Sequence, residues 1–78
     1  MSASAYILIN IKGTSVKPVI NGLFKINGVK SAHAVAGPYD IIVFVQAKDL
    51  ESLGNTVVSK IRKVRGITQT MTCVTVSV

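Results

Sequence analysis

The chain has 78 residues, of which 49% are hydrophobic, and a formal net charge of +6 from nine Lys and Arg against three acids. Such a length forms a single domain, residues 1–78, and buries a small share of its surface, so this apolar content predicts that some apolar surface meets a partner. The longest apolar run, Ile41 to Val45, is far shorter than the about 20 residues of a membrane-spanning helix, and no basic region marks a signal peptide, so we expect a cytoplasmic protein without a membrane partner.

The first third of the chain predicts a strand followed by a helix. Residues Ala5 to Ile11 are rich in β-branched and aromatic types, which favours a strand. Thr14 or Ser15 then offers a hydroxyl for a helix N-cap, and Asn27-Gly28 predicts the helix end. The apolar residues between them recur at helical spacing: Val16, Val19, Ile20, Leu23 and Phe24.

Two further strands and a second helix are predicted after Gly28. Val29 to Ala36 and Tyr39 to Ala47 are the strands, with a Gly37-Pro38 turn between them. Asp49 is placed to cap the helix, and Gly66 to end it. Its apolar stripe comprises Leu50, Leu53, Val57, Val58, Ile61 and Val64. Ile67 to Val78 is the last predicted strand.

A weak internal repeat divides the chain into two similar halves. Lys25-Ile26-Asn27-Gly28-Val29 resembles Lys63-Val64-Arg65-Gly66-Ile67. Two βαβ halves with right-handed connections give an α+β, ferredoxin-like βαββαβ fold, in which a four-stranded antiparallel sheet carries both helices on one face. Its first and third strands are central.

The two central strands are apolar on both faces. Ile7 and Ile9 alternate with Tyr6 and Leu8, and the third strand is uninterruptedly apolar. Helices cover only one face of such a sheet, so the other face needs a partner. We therefore predict a dimer in which two sheets pack face to face.

Asp40 is the acid without an evident structural role. The other two acids, Asp49 and Glu51, lie where a helix begins, whereas Asp40 ends a tight turn. Catalysis would need titratable groups in contact, and only His33 and Tyr39 are near in sequence, so we expect no enzyme activity. A small enzyme or regulatory subunit with His33 in a cleft stays an alternative.

The remaining polar groups suit neither a metal nor a typical nucleic-acid site. Cys73 and one histidine make no metal set, and we expect Cys73 to be a buried apolar residue; no cofactor is implied. The basic group at Lys60, Arg62, Lys63 and Arg65 falls in the last turns of a helix, where cations complement free carbonyls. A basic RNA-binding module is the third alternative, although the aromatic signature of RNA-binding domains is missing.

A small zwitterion fits the turn and the last strand better. Asp40 matches an ammonium group, and Thr70 and Thr72 with backbone N–H groups at Gly37 and Gly66 match a carboxylate. A purely structural role remains equally open: Asp40 would bond a nearby N–H, and the threonines would be ordinary edge-strand residues.

An ordered set of motifs resembles the C-terminal effector-binding domain of the Lrp/AsnC regulators, also called the RAM domain. The set comprises Gly28-Val29, Gly37-Pro38-Tyr39-Asp40 with the strand that follows, Lys48 to Leu53, Lys60 to Ile67, and Thr70-Met71-Thr72. The resemblance covers nearly the whole chain. Ala36 departs from the hydroxyl residue that many members have before the turn glycine.

The resemblance implies sheet-to-sheet dimers, their assembly into octamer or decamer rings, and amino-acid effectors bound between dimers. It transfers a ligand site to Gly37, Tyr39, Asp40, Thr70 and Thr72. The chain begins close to its first strand, so it resembles stand-alone members without a helix-turn-helix. We expect it to act with full-length regulators and not to bind DNA directly.

Overall fold

The first and third strands of the chain form the centre of a single antiparallel sheet. A computed structural model describes residues 2–76. Its strands are β1 (Ala3–Ile11), β2 (Val29–Ala34), β3 (Ile41–Ala47) and β4 (Ile67–Val74), in the spatial order β2-β3-β1-β4. The predicted βαββαβ order and ferredoxin-like arrangement are confirmed.

Two helical segments connect the strands within residues 2–76. Helix α1 (Val16–Phe24) follows β1. The second, here called α2, is a run of α-helix (Leu50–Ser52), π-helix (Leu53–Val58) and α-helix (Ser59–Arg62), with right-handed helical backbone at each junction. No helix in this part of the chain is long and apolar enough to cross a membrane.

Both helices pack on one face of the sheet, here called the covered face. Alternate residues of β1 and β3 point into it and are fully buried, because helical side chains lie over them. The core of this layer comprises Ala5, Ile7, Ile9, Val19, Leu23, Ile41, Val43, Val45, Leu53, Val57 and Ile61. The apolar stripes of the two helices therefore meet the sheet as the sequence predicted.

The opposite face, here called the open face, carries the side chains of the other alternate residues of β1 and β3. The rings of Tyr6 and Phe44 contact each other there, with centroids 4.9 Å apart. Leu8 pairs with Ile42 on one side and with Met71 on the other. Tyr6 is 47% and Met71 50% exposed, so nothing among residues 2–76 covers them.

The internal repeat is visible as the same hydrogen bonds at two helix ends. Ile26 N–H donates to Leu23 at 3.0 Å, and Val64 N–H donates to Ile61 at 3.0 Å. The glycines that follow, Gly28 and Gly66, have φ angles of 107° and 98°. The repeated sequence thus encodes a repeated helix-to-strand turn.

The turn between β2 and β3 is longer than predicted. β2 ends at Ala34 and β3 begins at Ile41, because Val35 N–H donates to the carbonyl of Asp40 (2.9 Å) and closes a loop between them. β4 ends at Val74, and residues 77 and 78 of the predicted strand lie outside the described part of the chain.

Three apolar residues expected to be buried are exposed. Cys73 lies on the open face of the edge strand β4, opposite Tyr6 and away from both helices, so its predicted burial is wrong for the single chain. Leu50 is 61% and Phe24 52% exposed. Each lies at a helix end, since Phe24 is the last residue of α1 and Leu50 is the first residue of α2.

Candidate functional site

Asp40 has the structural role that the sequence left open as an alternative, but its partner is a distant backbone N–H and not one within the turn. Its Oδ2 atom accepts a hydrogen bond from the backbone N–H of Ile11 at 2.9 Å. Its own N–H donates to the carbonyl of Ile9, also at 2.9 Å. The half-buried carboxylate thereby continues the pairing of β1 with β3 beyond Ile9 and Ile41, the last paired residues. The expectation that Asp40 lacks a structural role is corrected.

Tyr39 reaches toward the open face. Its hydroxyl lies 3.6 Å from Met71 Sδ, to which it donates a weak hydrogen bond. Met71 pairs with Leu8, whose side chain belongs to the open face. Side chains alternate between the two faces along β4, so Met71 lies on the opposite face from the neighbouring threonines. This alternation is the sequence signal that assigns Met71, the partner of Tyr39, to the open face.

Gly37 lies at the tip of the turn and leaves its backbone accessible. It is exposed, has a φ of 152° and would meet nothing within 4 Å if it carried a Cβ atom. L-residues rarely adopt this φ. The backbone polar groups of this glycine are therefore open to a ligand or a partner.

Thr70 and Thr72 lie on the covered face of β4. They pair with Ile9 and Ile7, which point toward the helices. Both threonines line a groove of about 500 Å³ between β4 and α2. Val58 and Arg62 form its helical wall.

Arg62 is the groove residue that sequence reasoning missed. It was assigned only to the basic end of the helix. Its position four residues after Val58 was the available signal, because residues i and i+4 share one side of a helix. An arginine beside two threonine hydroxyls provides donors that suit a carboxylate.

The five candidate residues form two groups at the same end of the sheet. Gly37, Tyr39 and Asp40 belong to the turn, whereas Thr70 and Thr72 belong to the groove. Asp40 contacts β1 at Ile9 and Thr70 pairs with Ile9 from the other side, so β1 separates the groups by about two strand spacings, or 10 Å. Tyr39 and the threonines lie on opposite faces.

The residues considered for other chemistries are dispersed. His33 is exposed on the edge strand β2 and pairs with Ile42, so it belongs to the open face and not to a cleft beneath the helices. Among residues 2–76, no three His, Cys, Asp or Glu side chains form a group that holds a metal.

Comparison with known proteins finds a family model and several relatives similar to this chain. A family model described as the Lrp/AsnC ligand binding domain matches residues 4–78. An uncharacterized HTH-type transcriptional regulator of Pyrococcus furiosus is 36% identical over 77 residues, which are 95% of this chain and 51% of the regulator. The chain spans about half the length of the curated regulators it matches.

A curated enzyme and two solved structures extend the comparison. Homocitrate synthase of Saccharolobus islandicus is 43% identical over 63 residues, which are 81% of this chain and 13% of the enzyme. A hypothetical protein of Pyrococcus horikoshii superposes with a TM-score of 0.85 at 32% identity, covering 99% of this chain and 92% of its own. A transcriptional regulator of Neisseria meningitidis, solved as a complex with L-Met, superposes with a TM-score of 0.83 over 96% of this chain and 50% of its own, and at 16% identity it shares the fold.

Proposed function

The chain belongs to the Lrp/AsnC ligand binding domain family, and we propose that it is a non-catalytic, oligomeric module that binds an amino acid and thereby modulates transcription or amino-acid metabolism. The match of the family model over residues 4–78 is the observation that carries this proposal. The regulators among its relatives support a cytoplasmic role in regulation.

In the proposed binding mode, separate groups of residues bind the two charged ends of the amino acid. Asp40 uses Oδ2 for Ile11, so Oδ1 is the atom that receives the ammonium group. The hydroxyls of Thr70 and Thr72 and the guanidinium of Arg62 receive the carboxylate. Gly37 contributes backbone groups, and Tyr39 covers the side chain of the ligand. The L-Met complex of the Neisseria regulator supports an amino acid as the ligand class.

The two groups of residues meet between subunits in this proposal. Within one chain β1 lies between the turn and the groove, so the turn of one copy and the groove of another face the same ligand. This arrangement explains why both groups lie at the same end of the sheet. It also makes ligand binding depend on the oligomer.

The open face supports assembly through sheet-to-sheet packing. Half-exposed aromatic, aliphatic and thioether side chains lie side by side there: Tyr6, Leu8, Ile42, Phe44 and Met71. Covering an apolar surface of this kind stabilises a dimer by about 25 cal/mol for each Å² removed from water. Dimers then assemble into rings of eight or ten subunits.

Full-length Lrp/AsnC regulators are the proposed hetero-partners. The curated regulators are about twice as long as this chain, and the matched segment covers 51% of the first of them. We expect residues 1–78 alone not to bind operator DNA. An electrophoretic shift of a regulator's operator by this chain alone would contradict that expectation.

Calorimetry with the twenty amino acids tests the ligand. Wild-type protein is titrated beside two variants of Asp40. Asp40→Asn keeps an oxygen for Ile11 N–H and removes the charge, whereas Asp40→Ala removes both. We expect one or a few amino acids to bind the wild type and to lose at least about tenfold in affinity with either variant, because a charged hydrogen bond is lost. If no amino acid binds to the intact oligomer, the proposed ligand role is contradicted and the chain is an assembly domain without an effector.

The match to homocitrate synthase favours a second candidate function. A segment 43% identical to this chain occupies 13% of that enzyme, so a domain of this type also occurs within metabolic enzymes. In this candidate the chain regulates an enzyme of amino-acid metabolism. Light scattering of mixtures with the enzyme and with a full-length regulator distinguishes the two partners, since only the true partner forms a mixed assembly.

A further inference from the structure

A second concave surface lies at the opposite end of the sheet from the turn at Asp40. It is a cavity of about 540 Å³ between the start of β2, the end of β3 and the side of α2. Strand β3 runs from Ile41 near the turn to Ala47 at this cavity, a span of about 20 Å at 3.3 Å per residue. The cavity, here called the lysine cavity, is therefore separate from the proposed amino-acid site.

Three lysines line this cavity without an acid among the lining residues. Lys30 comes from β2, Lys48 follows β3 and Lys60 belongs to α2; all three are exposed. They are distant in sequence and brought together only by the fold. Their like charges repel one another unless an anion lies between them.

The three acids of the chain compensate these lysines only in part. Asp40 lies at the other end of the sheet, whereas Asp49, which accepts the N–H of Ser52 at 2.7 Å, lies near Lys48, whose charge lowers the pKa of Asp49 less than the hydrogen bonds from Ser52 do. Glu51 is exposed on the first turn of α2 and lines a neighbouring depression, not the lysine cavity. The two nearby carboxylates, Asp49 and Glu51, do not neutralise three ammonium groups.

The rest of the lining indicates which anion fits. Asn27 and Thr56 add an amide and a hydroxyl, which donate hydrogen bonds to anionic oxygens, whereas the Ser52 hydroxyl is bonded to Asp49. No arginine lines the cavity, so the planar two-bond recognition of carboxylates is not available, whereas lysines bind phosphates as point charges. No aromatic ring lines it for stacking on a nucleobase.

We propose that the lysine cavity binds a compact, phosphate-bearing metabolite with at least two negative charges. Its volume lies within the about 300–1,000 Å³ of small-molecule sites. The phosphate oxygens lie among the three ammonium groups, and Thr56 donates to them. Binding at this site does not require a bound amino acid. The phosphate-bearing metabolite is therefore a second ligand of the same module.

Calorimetry and NMR with two phosphate probes test the proposal. Inorganic pyrophosphate and fructose 1,6-bisphosphate are titrated into the full chain at low salt, and citrate serves as a polycarboxylate control. We expect Lys30→Gln, Lys48→Gln and Lys60→Gln each to weaken binding about fivefold or more, because each removes a charge-assisted contact. Lys17→Gln is the matched control, since Lys17 is an exposed lysine outside the cavity.

The amide signals of Gly28 and Thr56 are expected to shift on titration, and those of Gly37 and Asp40 to stay in place. A stronger response to pyrophosphate than to the sugar bisphosphate identifies a bare diphosphate group as the preferred ligand, and the reverse order identifies a phosphorylated sugar. Three results overturn the proposal: no binding of either probe at about 10 mM, an equal loss in Lys17→Gln, or citrate binding as tight as both phosphates.

Discussion

The two faces of the sheet carry the same kinds of residue on the central strands, but they differ in burial. On the covered face, alternate residues of β1 and β3 are fully buried under two helices. On the open face, their neighbours in the same strands stay exposed or half-exposed, as Tyr6 and Leu8 do. The covered face forms the core of the single chain, and the open face is the apolar surface on which we propose that another copy packs.

This difference explains the high apolar content of so short a chain. A single domain needs apolar residues on one face of its central strands, and alternation with polar residues is the usual pattern. Here Ile42 and Phe44 interrupt that alternation in β3. Substitutions on one face at a time therefore test whether the covered face stabilises the fold and the open face forms the oligomer.

Truncation on the covered face is expected to have the largest effect on folding. Ile7→Ala removes a fully buried side chain from the centre of β1 and should lower the free energy of unfolding by about 2–5 kcal/mol. Chemical denaturation followed by circular dichroism measures it. Tyr6→Ala, the adjacent residue on the open face, is the control. Equal losses in the monomeric state of both variants would contradict the distinction between the faces.

A charge on the open face is expected to separate the subunits. Leu8→Lys places an ammonium group between Ile42 and Met71, where burial against a second sheet would leave it without a partner. We expect sedimentation to report monomers that keep their circular dichroism spectrum. Gln46→Lys, in a polar position near the end of the sheet, should keep the oligomer. An unchanged oligomer in Leu8→Lys would place the interface elsewhere.

Asp40 connects the scaffold with the proposed site, and its two variants separate these roles. Asp40→Ala leaves the N–H of Ile11 without its acceptor and should cost about 1–3 kcal/mol of stability. Asp40→Asn retains an acceptor and should lose a fraction of that. Thermal unfolding of the two proteins side by side provides the measurement. Equal losses in Asp40→Asn and Asp40→Ala would show that the charge, and not the hydrogen bond, stabilises the turn.

The smallest expected effect is the pH dependence caused by Asp49. The backbone N–H of Ser52, and then its hydroxyl, hold the pKa of Asp49 below its usual value. A carboxylate with a lowered folded-state pKa contributes stability above its unfolded-state pKa, and the contribution is lost as pH falls through the folded-state value. Asp49→Asn keeps a capping side chain without the charge, so its melting temperature should fall less than that of the wild type between neutral pH and about pH 3. A parallel decline of the two proteins would contradict this role.

The fold was predictable because its signals are local and repeated. Helical spacing in two segments and apolar central strands determine the sheet order, and the Gly28 and Gly66 turns repeat the same hydrogen bonds. The limits of the turn were not predictable, because they depend on the bond between Val35 and Asp40. Cys73 was misjudged because its exposure depends on which face the helices cover.

The sequence predicts which residue types form the candidate site, but not how those residues are arranged. The partner of Asp40 is the backbone N–H of Ile11, 29 residues away, and a backbone group carries no sequence signature. The alternation of β4 already separated Thr70 and Thr72 from Met71, yet the contact of Met71 with Tyr39 required the turn to fold over the open face. Lys30, Lys48 and Lys60 are unrelated in sequence and become neighbours only in three dimensions.

Light scattering of the wild-type chain over a range of concentrations tests the central claim most directly, namely that the open face is an interface and the module acts as an oligomer. The subunit mass is 8.3 kDa. We predict a dimer or a multiple of it at every concentration, with eight or ten subunits in a ring. A mass of one subunit at all concentrations would contradict both the interface and the ligand site shared between copies.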